Sequence, residues 1–209
     1  MNQLNNRPTN TQNVERLCSS MLLTKIKQLN STNLSEVNIS IIKKAISYAK
    51  KHHAGQIRES GEPYFCHPLQ VAYMVSDFCF KTDTLVTAIL HDIIEDTTVT
   101  EEYLAKFFGI KIAQNVMDLT RVKGYGVKIT SAELVRSLWK EKKHDLLIVK
   151  LFDRLHNIRT VDVKPAHKRK KIIKETKDVF IDLASYFDMQ DVRNELYDIC
   201  SKHSHLLQS

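Results

Sequence analysis

The sequence predicts an all-α fold, a helical bundle forming a single domain. Three observations carry that expectation. Apolar residues recur every three or four positions along most of the chain, and the strict alternation of half-buried strands is scarce. The glycines and prolines mostly fall where helices would stop or start, at Gly55, Gly61, Pro63, Pro68, Gly109, Gly124, Gly126 and Pro165. A chain of 209 residues is long enough for one domain with a real core and an appendage.

Taken in order, residues 1–35 are expected to form a partly disordered N-terminal extension, because periodicity is weak there except in CSSMLLTKIKQL, which predicts a short amphipathic helix from Cys18 to Leu29. The bundle then occupies residues 36–205. Val37, Ile41, Ala45, Tyr48 and Ala49 share one face of a helix over 36–54. Pro68 suits the first position of a helix over 68–78, with Leu69, Ala72, Tyr73 and Ser76 on one side and His67 as its N-cap. An apolar run predicts a helix over 83–96, and Gly109 separates helices at 101–108 and 110–121. Further periodic segments cover 131–142, 144–159, 166–187 and 190–203, and no internal repeat stands out.

Composition narrows the function classes. Hydrophobic residues make up 43% of the chain, yet no apolar stretch approaches the ~20 residues that span a bilayer, so no membrane partner is expected. The N-terminus lacks the basic start and apolar core of a secretory signal, which points to the cytoplasm. Cys18, Cys66, Cys79 and Cys200 lack CxxC spacing and read as reduced thiols. Much of the net charge of +7 lies between Lys164 and Lys177, as a solvated helix face or as an attractor of polyphosphate. No aromatics interleave with those lysines, so nucleic acid is not the expected partner.

The chemistry concentrates in AILHDIIEDT. Helical spacing stacks His91 over Glu95 and Asp92 over Asp96 at the end of an apolar segment. Negative charge at a helix C-terminus is disfavoured by about 0.3–1 kcal/mol per group, and burying unpaired carboxylates costs more. A bound cation offsets both; acids capping an exposed turn are the alternative. Two other stretches offer further ligands. One is RESGEPYFCHPLQ, with His67. The other is DLLIVKLFDRLHNIRT, where Asp153 interrupts an apolar run and shares a face with Asn157 and Thr160, beside His156. An internal Asp153–Arg154 pair is the structural alternative; the polar inward face fits a cavity better.

Together these residues resemble the HD superfamily of metal-dependent phosphohydrolases. HAGQIRESGEPYFCHPLQVA, AILHDIIEDT, FFGIKIAQNVMDLTRV and VKLFDRLHNIRT are similar, in order, to the motifs of the hydrolase domain of RelA/SpoT-type enzymes, which remove the 3′-pyrophosphate from the alarmone (p)ppGpp. The resemblance runs from about residue 40 to 200 and implies an HD-domain bundle, with no residues left for synthetase or regulatory domains and hence a small stand-alone hydrolase. It further implies one divalent ion, manganese, held by His67, His91, Asp92 and Asp153, with Glu95 and Asp96 activating water. Arg58, Asn157 and Thr160, with Ser60, would hold the nucleotide, and Arg154 would brace Asp153. Glu59 stands where the family commonly has lysine, and an acid there is expected to weaken nucleotide binding. Two other readings stay open: an HD hydrolase for another phosphorylated nucleotide, and a nucleotide-binding module without turnover.

Overall fold

The computed structural model describes residues 10–32, 36–122 and 126–204. Among these, β structure is confined to isolated antiparallel bridges, Ile57 with Pro63 and Val122 with Lys128, in agreement with the all-α expectation. The helices are α1 (Asn10–Thr32), α2 (Ile39–His52), α3 (Cys66–Val75), α4 (Thr82–Leu90), α5 (Ile93–Asp96), α6 (Glu101–Phe108), α7 (Ile110–Leu119), α8 (Ser131–Lys140), α9 (His144–Arg159), α10 (Ala166–Glu175), α11 (Ile181–Tyr186) and α12 (Gln190–Lys202). No helix among the described residues is long and apolar enough to cross a membrane.

Local chemistry accounts for several boundaries. The Asn38 side chain accepts from the backbone N–H groups of Ser40 and Ile41 to start α2, and Thr130 with Glu133 forms a reciprocal capping box on α8. Gly109, at φ 86°, supplies the left-handed backbone between α6 and α7 that a side chain would strain. The first nine residues of the expected extension, residues 33–35 and Gly124 lie outside the described residues. The helix expected from Cys18 to Leu29 is longer, and it joins the core: Leu22 and Ile26 are fully buried, and Lys25 donates to the Tyr73 carbonyl and pairs with Asp77.

Three further boundaries differ from expectation. α3 begins at Cys66, so Phe65 occupies the N-cap position and His67 lies inside the first turn. Pro68 therefore sits in the first turn rather than opening it, where its missing N–H is equally harmless because those donors have no intrahelical partner. The helix expected over 83–96 is interrupted after Leu90, with Asp92 at φ −96° and ψ −3° before α5. The helix expected over 166–187 passes through a π-helical turn at Thr176–Phe180 between α10 and α11.

α9 lies at the centre. Every residue from Leu146 to His156 is buried, including Lys150, Asp153, Arg154 and His156, so each of these polar groups must find a partner inside. α3 packs against α1, α4 and α9, and α4 also packs against α9. The beginning of α3, the end of α4 and the middle of α9 consequently meet.

Candidate metal centre

The break between α4 and α5 gives adjacent residues a common target. In a continuous helix, consecutive side chains diverge by ~100°. Here His91 Nε2 lies 3.2 Å from Asp92 Oδ1. From α3, His67 Nε2 approaches Asp92 Oδ2 at 3.5 Å and Asp153 Oδ1 at 3.2 Å. His91 Nε2 is 3.7 Å from that same Asp153 oxygen. Donor atoms of His67, His91 and Asp153 all fall within 4.8 Å of one another, and the three residues are buried. His67, His91 and Asp153 thus meet, with Asp92 beside the two imidazoles.

This donor set fits a cation. His91 Nδ1–H donates to the Ala88 carbonyl at 2.8 Å, which leaves Nε2 as the ring atom facing the carboxylates. That Nε2 is buried with no hydrogen-bond partner of acceptable geometry, although two carboxylates stand close. A buried ring nitrogen left over beside two acids suits a cation bound by imidazole and carboxylate. Electrostatics agree. Burial alone would raise Asp153, but Lys150, then His67 and His91, hold it well below the usual carboxylate range. Asp92 is likewise lowered, with burial outweighed by His91 and His67. Both acids therefore stay ionised.

Asp153 is braced differently from expectation. Lys150, one turn earlier on α9, pairs with Oδ2 at 2.6 Å, and Asn157 Nδ2 donates to Oδ1 at 2.5 Å. Arg154 does not brace it. Its guanidinium points the other way, to Glu175 at 2.7 Å and over the Phe180 ring at 4.5 Å. Asn157 carries the network outward by accepting from Arg58 Nη2 at 2.5 Å. Thr160 caps the end of α9 with its hydroxyl 3.4 Å from the Asn157 carbonyl. Ser60 Oγ is buried with no hydrogen-bond partner among the described residues.

Glu95 and Asp96 occupy different environments. Glu95 is clasped by Arg121, with contacts of 2.6 Å to Nη2, 3.3 Å to Nε and 3.1 Å to the backbone N–H, and by Lys128 at 3.0 Å. Burial would raise it, but Arg121 and Lys128 outweigh burial and lower it. Asp96 is raised, by burial first and then by Asp92 and Glu95. The Tyr64 hydroxyl stands 2.7 Å from Asp92 Oδ2 and 2.5 Å from Asp96 Oδ2. Burial, then the two aspartates, push that phenol far up, so it keeps its proton. One O–H donates to one carboxylate at a time, so Tyr64 stands as a donor that Asp92 and Asp96 share.

Glu59 lies on the turn Ile57–Pro63, and Lys164 and Lys168 each contact its carboxylate at 3.0 Å. Its charge is neutralised on the spot rather than directed at an incoming anion. Sequence reasoning missed Tyr64, Gln70, Arg121, Lys128 and Lys150, and it set His156 beside the polar face without giving it a role. Only Lys150, three residues before Asp153, carried a local signal, its helical spacing. A cavity of about 280 Å³ lined by Val135, Trp139 and Leu183 shares none of its lining with this centre.

Comparison with known proteins gives the family and the fold. Residues 45–189 match the family described as HD domain. "GTP pyrophosphokinase rsh" of Brucella ovis is 40% identical over 173 residues, covering 80% of this chain and 23% of that protein. "Guanosine-3′,5′-bis(diphosphate) 3′-pyrophosphohydrolase" of Aquifex aeolicus is 37% identical over 164 residues, covering 78% of this chain and 24% of that protein. The chain therefore spans about a quarter of the length of these curated relatives. Among solved structures, one reported under "A metazoan ortholog of SpoT hydrolyzes ppGpp and plays a role in starvation responses" superposes with a TM-score of 0.67 at 21% identity, covering 81% of this chain and 98% of that one, a likeness of fold. A family match across most of the bundle, with the paired His91 and Asp92 inside it, leads to one conclusion: this chain belongs to the HD domain family.

Proposed function

We propose that this chain is a metal-dependent 3′-pyrophosphohydrolase that converts (p)ppGpp and water to GDP or GTP and pyrophosphate. The observation that carries the reading is the convergence of His67 and His91 with Asp92 and Asp153 at one buried point, from which Asn157 and Arg58 lead outward. The names of relatives at 34–37% identity support the same chemistry. His67, His91, Asp92 and Asp153 would hold the ion, and mixed imidazole and carboxylate donors suit manganese. Unpaired cysteines fit a cytoplasmic setting.

A divalent ion held here by His67, His91, Asp92 and Asp153 would supply Lewis-acid polarisation and lower the pKa of water. The remaining work falls to the protein. Asp96 is the general base in this reading: among the described residues no lysine or arginine pairs with it, its affinity for protons is raised, and Tyr64 orients it. Glu95, ionised and held by Arg121 and Lys128, is the less basic acid and serves to place those cations beside the reacting phosphate. Arg58 contributes charge-assisted donors to phosphate or a flat face to the base, and Asn157, Thr160 and Ser60 read sugar or base edges.

The test is direct. Purified protein with manganese and ppGpp should yield GDP and pyrophosphate in equal amounts, resolved by ion-exchange chromatography. Stepwise release of orthophosphate, or turnover confined to other nucleotides, would reject the reading.

A further inference from the structure

We propose that His156 and Gln70 are positioning residues that set the tautomer of His67 and thereby its capacity to bind the metal. The inference rests on the metal reading above. His67 Nδ1 stands 2.9 Å from His156 Nδ1, and His156 Nε2 contacts Gln70 Oε1. In a contact between two ring nitrogens, one carries the hydrogen and the other offers a lone pair. For His67 Nε2 to present a lone pair beside Asp92 and Asp153, its proton must sit on Nδ1. His156 Nδ1 must then accept, which places the proton of His156 on Nε2, where the Gln70 oxygen accepts it. The relay runs in one direction, His67 to His156 to Gln70.

The opposite direction is chemically available. Were Gln70 to present its NH₂ group, His156 Nε2 would accept, its Nδ1–H would donate to His67, and the His67 proton would be forced onto Nε2, blocking the metal. The amide of Gln70 thus selects between a binding and a non-binding imidazole. His91 has no such freedom, because a main-chain carbonyl takes its Nδ1–H. Two side chains therefore control one half of the centre while the backbone controls the other.

Manganese affinity measured by calorimetry on the full chain separates the possibilities. Gln70→Leu removes the acceptor and should weaken binding about 10–100-fold, the usual effect of losing a group that orients a ligand. Gln70→Glu can only accept and should bind within about threefold of wild type or tighter, as a carboxylate is the stronger acceptor. A merely structural contact predicts the reverse order, since glutamate brings a charge to a half-buried position and leucine does not. Leucine binding as tightly as wild type, or glutamate binding more weakly than leucine, overturns the proposal. A second readout needs no variant: in ¹⁵N-histidine spectra of the zinc-loaded protein, His156 should be protonated on Nε2 and bare on Nδ1, and the opposite assignment overturns the proposal as well. Absence of manganese binding by the wild type would overturn the metal reading itself, whereas wild-type binding with insensitive Gln70 variants removes only the relay.

Discussion

In the proposed centre, His91 should govern the pH at which a cation is accepted. Burial opposes its charge, but Asp92 and then Asp153 outweigh burial and push it up to about 9 in the ion-free protein, against an ordinary value of 6.5. An ion must take Nε2 as a lone pair, so below about 9 each binding event expels a proton from His91. Asp92 and Asp153, both lowered, have none to release at neutral pH. Apparent manganese affinity should therefore fall about tenfold for each pH unit, or ~100-fold (~2.7 kcal/mol) between pH 8 and pH 6. Stability of the ion-free protein should run the other way. Because the folded value exceeds the unfolded one, charged His91 stabilises the fold fully below about 6.5, and this is lost as pH rises through about 9. For so buried a group the full difference is on the order of 3 kcal/mol. Calorimetric titration at pH 6, 7 and 8 in buffers of unequal ionisation enthalpy measures both the slope and the proton count, and thermal melts without metal follow the stability. A flat affinity with no proton release would mean that His91 is already neutral and that the two aspartates do not act on it as described.

Three substitutions divide the remaining roles. Asp153→Asn keeps the shape beside Lys150 but removes the charge, and it should abolish both manganese binding and hydrolysis; retention of either at the wild-type level would remove Asp153 from the ligand set. Asp96→Asn should lower kcat roughly 10²–10⁴-fold with metal affinity little changed, whereas Glu95→Gln should chiefly raise KM by releasing Arg121 and Lys128; equal effects on kcat would reject this division. Glu59→Gln frees the half-buried Lys164 and the exposed Lys168, and since surface pairs contribute about 0.2–1 kcal/mol, KM should drop by up to about fivefold at low salt with kcat unchanged. An unchanged KM at low salt would show that Lys164 and Lys168 do not face the substrate.

The helices were legible because burial repeats with the helical period, and where punctuation or capping is local the ends are legible too. α6, stopped by Gly109, and α9 begin and end where periodicity places them. The interruption at His91 and Asp92 left no such mark, as neither residue is a glycine or proline. It is imposed by tertiary packing, which draws two neighbouring side chains onto one point. The site was legible at the level of residue type: histidines and acids on faces otherwise apolar are expensive unless something binds them. Their partners were not, because helical spacing reports only what lies within a turn. Asp153 and Arg154 are neighbours in sequence, yet one is served by Lys150 from the preceding turn and the other by Glu175 from α10. Glu95 finds Arg121 across 26 positions, and Glu59 finds its lysines across more than 100. The chemistry depends on which atoms remain after such pairings. Glu95 has both oxygens engaged by cations, Asp96 shares one proton donor with Asp92, and His91 turns its second ring nitrogen to Asp92 and Asp153. From spacing alone the two acids of AILHDIIEDT are equivalent; in three dimensions Glu95 is clasped by Arg121 and Lys128, while Asp96 meets Tyr64 and its affinity for protons is raised.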